Sequence, residues 1–210
     1  MPPVIQAEHP HWVPVAFDDD SATHDPEDEM SLVHRAAGDP DAFAALYRRH
    51  VDAIHAFAWR RTGRRDLAED ITAATFERAL RNLSSFRWQG TGSFRRWLFR
   101  LAANESTDHH RREARHRTPR AVATTAALAG DRPSASDDVE ERALARSDAD
   151  RLRVAFDQLP ERYARVLSLR YLADLSPPET ADALGLSRAT CAVITHRATR
   201  ALRRIMEEAS

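Results

Sequence analysis

The segment SPPETADALGLSRAT, residues 176–190, contains the start of one helix, a glycine, and the start of a second helix. Ser176 is placed to cap the first helix, and Pro177 fits its first turn because no N–H partner is needed there. Glu179 follows Ser176 by three residues and completes an S-x-x-E capping box. This local chemistry predicts a short helix that begins at Pro177.

The second half of the segment predicts a turn and a longer helix. Gly185 can adopt the left-handed conformation that ends a helix, and Ser187 can cap the next one, from about Arg188 to about Met206. A short helix, a tight turn and a longer helix form a helix-turn-helix pattern, whose second helix can enter the major groove of DNA. On this segment alone, an ordinary helical hairpin fits equally well.

Charge is distributed unevenly along the 210 residues, although the net charge is only −1. Residues 1–30 contain eight acidic residues and no Arg, whereas residues 31–117 contain seventeen Arg and ten acidic residues. Residues 147–210 are nearly neutral, with ten Arg and nine acidic residues. The basic middle segment therefore suits a polyanionic partner. The sequence contains 31 Arg and no Lys, which fits either phosphate contact or the coding bias of a GC-rich genome.

Apolar periodicity predicts helices and no strands. Spacings of three and four residues recur over residues 31–115 and again over residues 146–208. Residues 116–145 are rich in Ala, Thr, Ser, Asp and Pro, which is typical of a flexible linker. Residues 1–30 have the composition of a disordered acidic tail. We therefore predict an all-α protein in which two small helical domains are joined by a flexible linker.

The first domain should bury one face of each of three helices. Gly63 ends the first of these helices, and Asp66 is placed to cap the second, with Glu69 three residues later. The positions predicted to face inward are Phe43, Leu46, Tyr47, Val51, Ile54, Phe57, Ala58, Ile71, Thr75, Phe76, Ala79, Leu80, Phe94, Trp97, Leu98, Leu101 and Ala102.

Several functional classes are disfavoured by what the sequence contains. Cys191 is the single cysteine and falls on the inward side of its helix, so we expect a small core residue rather than a disulfide or a zinc ligand. His109, His110 and His116 lie close in sequence, but adjacent histidines diverge around a helix, so we expect no metal site. No nucleophile–base pair suggests catalysis, and we expect neither an enzyme nor a cofactor site. No apolar run predicts membrane insertion, and no signal peptide is evident.

Two parts of the chain together resemble a known family. The segments DLAEDITAATFERALRNLSSFR at 66–87 and GSFRRWLFRLAANESTDHHRR at 92–112 resemble region 2 of bacterial sigma factors of the extracytoplasmic-function group. The segment LPERYARVLSLRYLADLSPPETADALGLSRATCAVITHRATRALRR at 159–204 resembles region 4 of the same group. The resemblance implies a cytoplasmic protein without chemistry of its own that binds the RNA polymerase core and directs it to promoter DNA. It also implies that the first domain opens the −10 element and the second reads the −35 element.

The resemblance implies a polymerase-binding helix at residues 67–81 and a −10 surface after it. The implied polymerase contacts are Asp66, Glu69, Asp70, Glu77, Arg78 and Arg81. The family commonly has Gln-Glu where this chain has Ala73 and Ala74. The implied −10 contacts are Arg87, Trp88, Arg95, Arg96, Arg100, Asn104, Asp108, Arg111 and Arg112. Trp88 is the favoured base-stacking residue, because Phe94 and Trp97 fit core packing better.

The resemblance also implies that the helix after Ser187 lies in the major groove. The implied −35 contacts are Ser187, Arg188, Thr190, Ala192, Val193, His196, Arg197 and Arg200. The family usually offers Lys-Ser-Arg where this chain has Ala192, Val193 and Ile194, which leaves apolar contact with thymine methyl groups open.

Three functional hypotheses stay open at this point. The first is a sigma factor, commonly held by an anti-sigma partner. The second is a stand-alone helix-turn-helix regulator whose front domain senses a ligand. The third is a degenerate sigma paralogue that occupies polymerase without initiating transcription. The stand-alone regulator would bind duplex operator DNA without polymerase, which separates it from the other two.

Overall fold

The computed structural model describes the backbone of residues 26–116 and 137–209, and the side chains of residues 29–113 and 147–209. Every regular element within these ranges is a helix, which confirms the predicted all-α class. Most of the predicted acidic tail and of the predicted linker lies outside the described residues. None of the described helices is both long enough and apolar enough to cross a membrane.

Among the described residues, four helices belong to the first domain and four to the second. The first four are α1 (Pro26–Arg35), α2 (Pro40–Thr62), α3 (Arg65–Asn82) and α4 (Ser93–His116), with a 3-10 turn at Leu83–Ser85. The second four are α5 (Asp137–Asp157), α6 (Glu161–Leu167), α7 (Pro177–Leu184) and α8 (Arg188–Glu208). A π-helical turn, Ser168–Leu172, continues α6 toward α7.

Two helices begin inside segments that the sequence assigned to the tail and to the linker. Helix α1 begins at Pro26, and α5 begins at Asp137. Helix α1 folds onto α2 because Leu32 and Val33 are buried there. Its Glu29 is also buried and lies 2.9 Å from Nε2 of His50 on α2. The acidic composition of the tail concealed this short amphipathic segment.

Local capping chemistry sets the ends of α2. The Asp39 carboxylate accepts hydrogen bonds from the N–H groups of Asp41 and Ala42, at 3.0 and 3.3 Å. Gly63 has φ +67° and ends the helix, as predicted.

Helix α3 begins one residue before the predicted cap. Its N-cap is Arg64, which makes no side-chain capping bond, so the prediction that Asp66 caps this helix is wrong. Asp66 instead lies in the first turn, where its Oδ2 accepts a hydrogen bond from Arg64 Nη2 at 2.6 Å. This hydrogen bond is the main reason that the pKa of Asp66 is lowered.

The core of the first domain follows the predicted periodicity with two clear exceptions. Leu46, Phe57, Phe94 and Leu98 are fully buried. Tyr47 and Leu80, which the periodicity placed inward, are 41% and 52% exposed. The Tyr47 ring still packs edge-on against Phe76 of α3, with centroids 4.6 Å apart. When the apolar face of a helix is wider than the surface that covers it, the residues at the edges of that face stay exposed to solvent.

The two domains pack directly on each other, which the sequence did not predict. Leu169 and Leu175 of the second domain are fully buried in the same cluster as Phe94 and Leu98 of α4. The second domain also has a smaller core of its own, formed by Phe156, Leu159, Ala164, Leu167 and Ala198. The described parts of the chain therefore form one closed arrangement of two helical units.

Candidate nucleic-acid interface

The outward face of α3 carries charge and little apolar area. Five of the six predicted polymerase contacts are exposed on it: Asp66, Glu69, Asp70, Glu77 and Arg81. Ion pairs along the helix join Arg65 to Glu69 at 2.9 Å and Arg81 to Glu77 at 3.4 Å. Exposed pairs of this kind contribute little to stability, so these charges remain available to a partner.

The sixth predicted contact, Arg78, has an intramolecular role. Its Nε lies 2.7 Å from Oε1 of Glu105 on α4. The Glu105 side chain is only 7% exposed, whereas that of Arg78 is 38% exposed. A buried carboxylate needs a partner, so Arg78 joins α3 to α4 rather than standing free with the other five.

The loop between α3 and α4 brings several aromatic rings together. Phe86, Phe94 and Trp97 pack against one another, with centroids 5.0 to 5.6 Å apart. Phe94 is fully buried, which confirms its predicted core position. Trp88 is half-buried against the edge of this core, and Arg87 beside it is exposed. The loop therefore presents a partly exposed indole next to an exposed cation.

The loop turns sharply enough to lead directly into α4. Gly90 and Gly92 have φ +92° and +72°, a conformation that favours glycine. The Ser93 hydroxyl accepts a hydrogen bond from the Gln89 N–H at 3.2 Å, which fixes the start of α4 against the loop.

The first basic residues of α4 point toward the second domain. Arg95 donates to the Ala173 carbonyl at 3.2 Å, and its guanidinium lies 4.8 Å from the Phe99 ring centroid. Arg96 lies 3.8 Å from the Glu179 carboxylate on α7. Two of the predicted −10 contacts are therefore engaged at the domain interface.

The rest of the predicted −10 set continues along α4. Arg100, Asn104 and Asp108 are half-buried, and Arg111 and Arg112 are exposed. Nε of Arg111 lies 2.9 Å from the Glu161 carboxylate of α6, so this residue also reaches the second domain.

A half-buried ion pair joins the two domains. Nη1 of Arg61 on α2 lies 2.8 Å from Oδ1 of Asp157 at the end of α5. The Arg61 side chain is 8% exposed and its guanidinium also lies 5.5 Å from the Phe156 ring centroid. The sequence pattern does not reveal this pair, because Arg61 lies among several basic residues that are typical of a surface.

The helix-turn-helix forms as predicted. The Ser176 hydroxyl accepts a bond from the Glu179 N–H at 3.4 Å, and Glu179 Oε2 accepts from the Ser176 N–H at 2.8 Å. The Ser176 hydroxyl also donates to Glu179 at 2.6 Å, and this bond is the main cause of the lowered pKa of Glu179. Gly185 has φ +64°, and the Ser187 hydroxyl accepts from the Thr190 N–H at 3.1 Å.

Helix α8 has one buried and one exposed face. Cys191, Ile194 and Ala198 are buried, which confirms the predicted inward position of the cysteine. The predicted −35 contacts are all exposed: Ser187, Arg188, Thr190, Ala192, Val193, His196, Arg197 and Arg200. Ile194 is only 5% exposed, so of the three residues that replace the family's polar run only Ala192 and Val193 can meet DNA.

No group of three or more His, Cys, Asp or Glu side chains that could hold a metal ion occurs among the described residues. His109 and His110 are half-buried, and His110 lies 3.6 Å from Asp157 at the domain interface. The predicted absence of a metal site stays a prediction.

Comparison with known proteins identifies the family. The sigma-70 region 2 family model matches residues 46–116, and the sigma-70 region 4 model matches residues 149–202. The ECF RNA polymerase sigma factor BldN of Streptomyces coelicolor is 34% identical over 194 residues, which cover 92% of this chain and 69% of BldN. This chain belongs to the extracytoplasmic-function (ECF) group of the sigma-70 family.

Other relatives agree with this assignment. The ECF sigma factor SigW of Bacillus subtilis is 29% identical over 81% of this chain and 92% of SigW. The fold of the chain is similar to that of CnrH in complex with the cytosolic domain of CnrY, with a TM-score of 0.57 and 24% identity over 87% of this chain and 99% of CnrH. It is also similar to that of RpoE in complex with the anti-sigma factor NepR from Bartonella quintana, with a TM-score of 0.51 and 19% identity over 79% and 96% of the two chains.

As an ECF sigma factor, the chain directs transcription initiation. The match to region 2 covers the front domain, which the stand-alone regulator hypothesis assigned to ligand sensing. That hypothesis is therefore no longer supported.

Proposed function

We propose that this sigma factor binds the RNA polymerase core with the outward face of α3, opens the −10 element with α4 and the loop before it, and reads the −35 element with α8. The observation that carries this assignment is the match of both sigma regions, in order, to the two helical domains. We also propose that the chain divides into its two domains at the segment between α4 and α5, and the same matches support this division.

The polymerase contact rests on the charges of α3. Glu69, Asp70, Glu77 and Arg81 stand exposed on one side of the helix, where Glu69 pairs with Arg65 and Glu77 pairs with Arg81. Ala73 and Ala74 occupy the middle of this face, so the contact depends on charges at its two ends. Tyr47 and Leu80, both exposed near this face, add apolar area that a docked polymerase subunit would cover.

The −10 contact rests on the loop and on the cations of α4. Opened DNA needs an aromatic surface for an unpaired base and cations for the backbone. Trp88 and Arg87 supply both within the loop, and Arg100, Arg111 and Arg112 supply further cations along α4. Arg95 and Arg96 complete this surface once their contacts with Ala173 and Glu179 are released.

Promoter binding therefore requires the two domains to separate. In the closed arrangement Arg95 and Arg96 face the second domain and not solvent. The −10 and −35 elements are separate sites on the DNA, so each domain must reach its own site. We infer that the closed arrangement is the resting form of the chain and that the polymerase-bound form is open.

A protein partner of the anti-sigma class fits this resting form. CnrH and RpoE, whose folds this chain shares, were each solved in complex with a protein partner, and that of RpoE is the anti-sigma factor NepR. A partner that binds both domains of this chain would hold them closed. We expect such a partner and the sigma factor to meet in the cytoplasm, where RNA polymerase works.

The test separates core binding from promoter opening. Full-length protein is mixed with sigma-free core from its host and examined by gel filtration, and permanganate then detects unpaired thymines on promoter fragments. We expect co-elution and reactive thymines at the −10 element. Triple replacement of Glu69, Asp70 and Glu77 by Ala should abolish co-elution, and absence of co-elution with the unmodified chain would refute the proposal.

A degenerate sigma paralogue is the second candidate, favoured by the alanines at positions 73 and 74 and the apolar residues at positions 192 and 193. Such a paralogue would co-elute with the core but would leave the −10 thymines unreactive. The same experiment therefore distinguishes it from a working sigma factor.

A further inference from the structure

The exposed stripe of α8 changes character along its length. Its outward positions recur at spacings of three and one: Ala189, Ala192, Val193, His196, Arg197 and Arg200. The N-terminal half of this stripe is apolar and the C-terminal half is basic. The half that enters the groove first therefore differs in chemistry from the half that follows.

Val193 is the largest apolar side chain of this stripe and is 49% exposed. It lies six residues after the Ser187 cap, which puts it about 9 Å along the helix at 1.5 Å per residue. The opposite face of the same turns is fixed by Cys191 and Ile194, which are buried. Val193 therefore cannot turn into the core, and its two methyl groups stay on the outer surface.

The neighbours of Val193 allow a close approach to a base. Ala189 and Ala192 are exposed and carry only a methyl group each, so on its N-terminal side Val193 has short neighbours on this stripe. Arg197 and Arg200 extend from the following turns, where they can contact phosphates. The Val193 side chain has neither a hydrogen-bond donor nor an acceptor, so it cannot bond to the polar edges of the bases.

The C5-methyl group of thymine is the one apolar group that base pairs present in the major groove. We propose that Val193 determines −35 specificity by packing against the methyl group of a thymine. This inference rests on the proposed −35 role of α8. Arg188 and Thr190 in the first turn supply polar contacts beside it, so the methyl contact selects one base within a longer site.

The test removes the methyl group from the DNA and the side chain from the protein. The holoenzyme first selects its −35 element from a randomised duplex pool, and each thymine of the selected site is then replaced by uracil, which pairs identically but lacks the methyl group. At one position we expect the unmodified holoenzyme to bind the uracil duplex about fourfold more weakly, the effect of one buried methyl group. With Val193→Ala, binding to thymine and uracil duplexes should be equal at that position.

The matched control is Val154→Ala, because Val154 is another exposed valine, at 59%, and lies on α5, outside the helix-turn-helix. This variant should keep the full preference for thymine. Equal binding of thymine and uracil by the unmodified holoenzyme at every position, or an unchanged preference in Val193→Ala, would overturn the inference. Failure of the proposed function is distinguishable, because the holoenzyme would then select no −35 element at all.

Discussion

At the scale of single residues, two arginines one turn apart on α3 differ in what they contact. Arg78 pairs with the nearly buried Glu105 of α4, whereas Arg81 pairs with Glu77 on its own helix in solvent. A nearly buried carboxylate that loses its paired cation is left with an uncompensated desolvation cost, whereas an exposed ion pair contributes a few tenths of a kcal/mol. Sequence alone gave both residues the same role on the polymerase face.

We expect Arg78→Ala to lower the free energy of unfolding by about 1–2 kcal/mol, a value reduced because Arg78 itself is partly exposed. Arg81→Ala should change it by less than about 0.5 kcal/mol. Urea denaturation of the two full-length variants measures the difference. Equal stability of the variants would contradict the structural role of Arg78.

At the scale of the element, the stability that the N-terminus of α7 contributes depends on pH. The pKa of Glu179 is lowered chiefly by the Ser176 hydroxyl, and Arg96 and Arg95 lower it further. A carboxyl whose folded pKa lies below its unfolded value stabilises the folded state above the unfolded pKa. Here that contribution is complete above about pH 4.5, the ordinary pKa of a glutamate, and it disappears as the pH falls through the lower folded value.

We expect Glu179→Gln to be less stable than the unmodified chain at pH 7 by about 0.5 kcal/mol, because Gln can still accept from the Ser176 N–H but loses the charge that favours a helix N-terminus. As the pH is lowered from 5 toward 3, the stabilities of the two proteins should converge. Urea midpoints across this range provide the measurement. Two parallel pH profiles would show that the Glu179 carboxylate contributes nothing to the cap.

Most of what the sequence predicted correctly belongs to this scale. The caps at Ser176 and Ser187 and the left-handed glycines at positions 63 and 185 depend on residues within one helical turn, so local patterns suffice. The prediction that Asp66 caps α3 is wrong because the Asp66 carboxylate instead accepts a hydrogen bond from Arg64, two residues before it. A pattern of cap residues does not reveal such a competing partner.

At the scale of the whole molecule, the closed arrangement depends on contacts between distant parts of the chain. Arg61 and Asp157 are 96 residues apart in sequence, and Arg95 and Ala173 are 78 apart. Helical periodicity carries no information on such pairs, so the sequence predicted two tethered domains and missed their shared core. For the same reason, the sequence pattern predicted that Arg95 and Arg96 lie on an exposed DNA-binding surface.

We expect Arg61→Ala to open the chain, because it removes the buried cation that pairs with Asp157 and packs on Phe156. Small-angle X-ray scattering should show a larger radius of gyration than that of the unmodified protein. The matched control is Arg111→Ala, which removes an interdomain pair whose side chains are 59% and 43% exposed and should leave the radius unchanged. A radius of gyration unaffected by Arg61→Ala would contradict the prediction that the Arg61–Asp157 pair holds the two domains together.

The central claim is that this two-domain chain is a working sigma factor, and run-off transcription tests it most directly. Purified full-length protein is combined with sigma-free polymerase core from its host and a pool of host promoter fragments, and the 5′ ends of the RNA are sequenced. We predict discrete start sites that share one upstream motif with a −35 and a −10 element. Co-elution with the core without any discrete start site would contradict the claim and identify the chain as a sigma paralogue that does not initiate transcription.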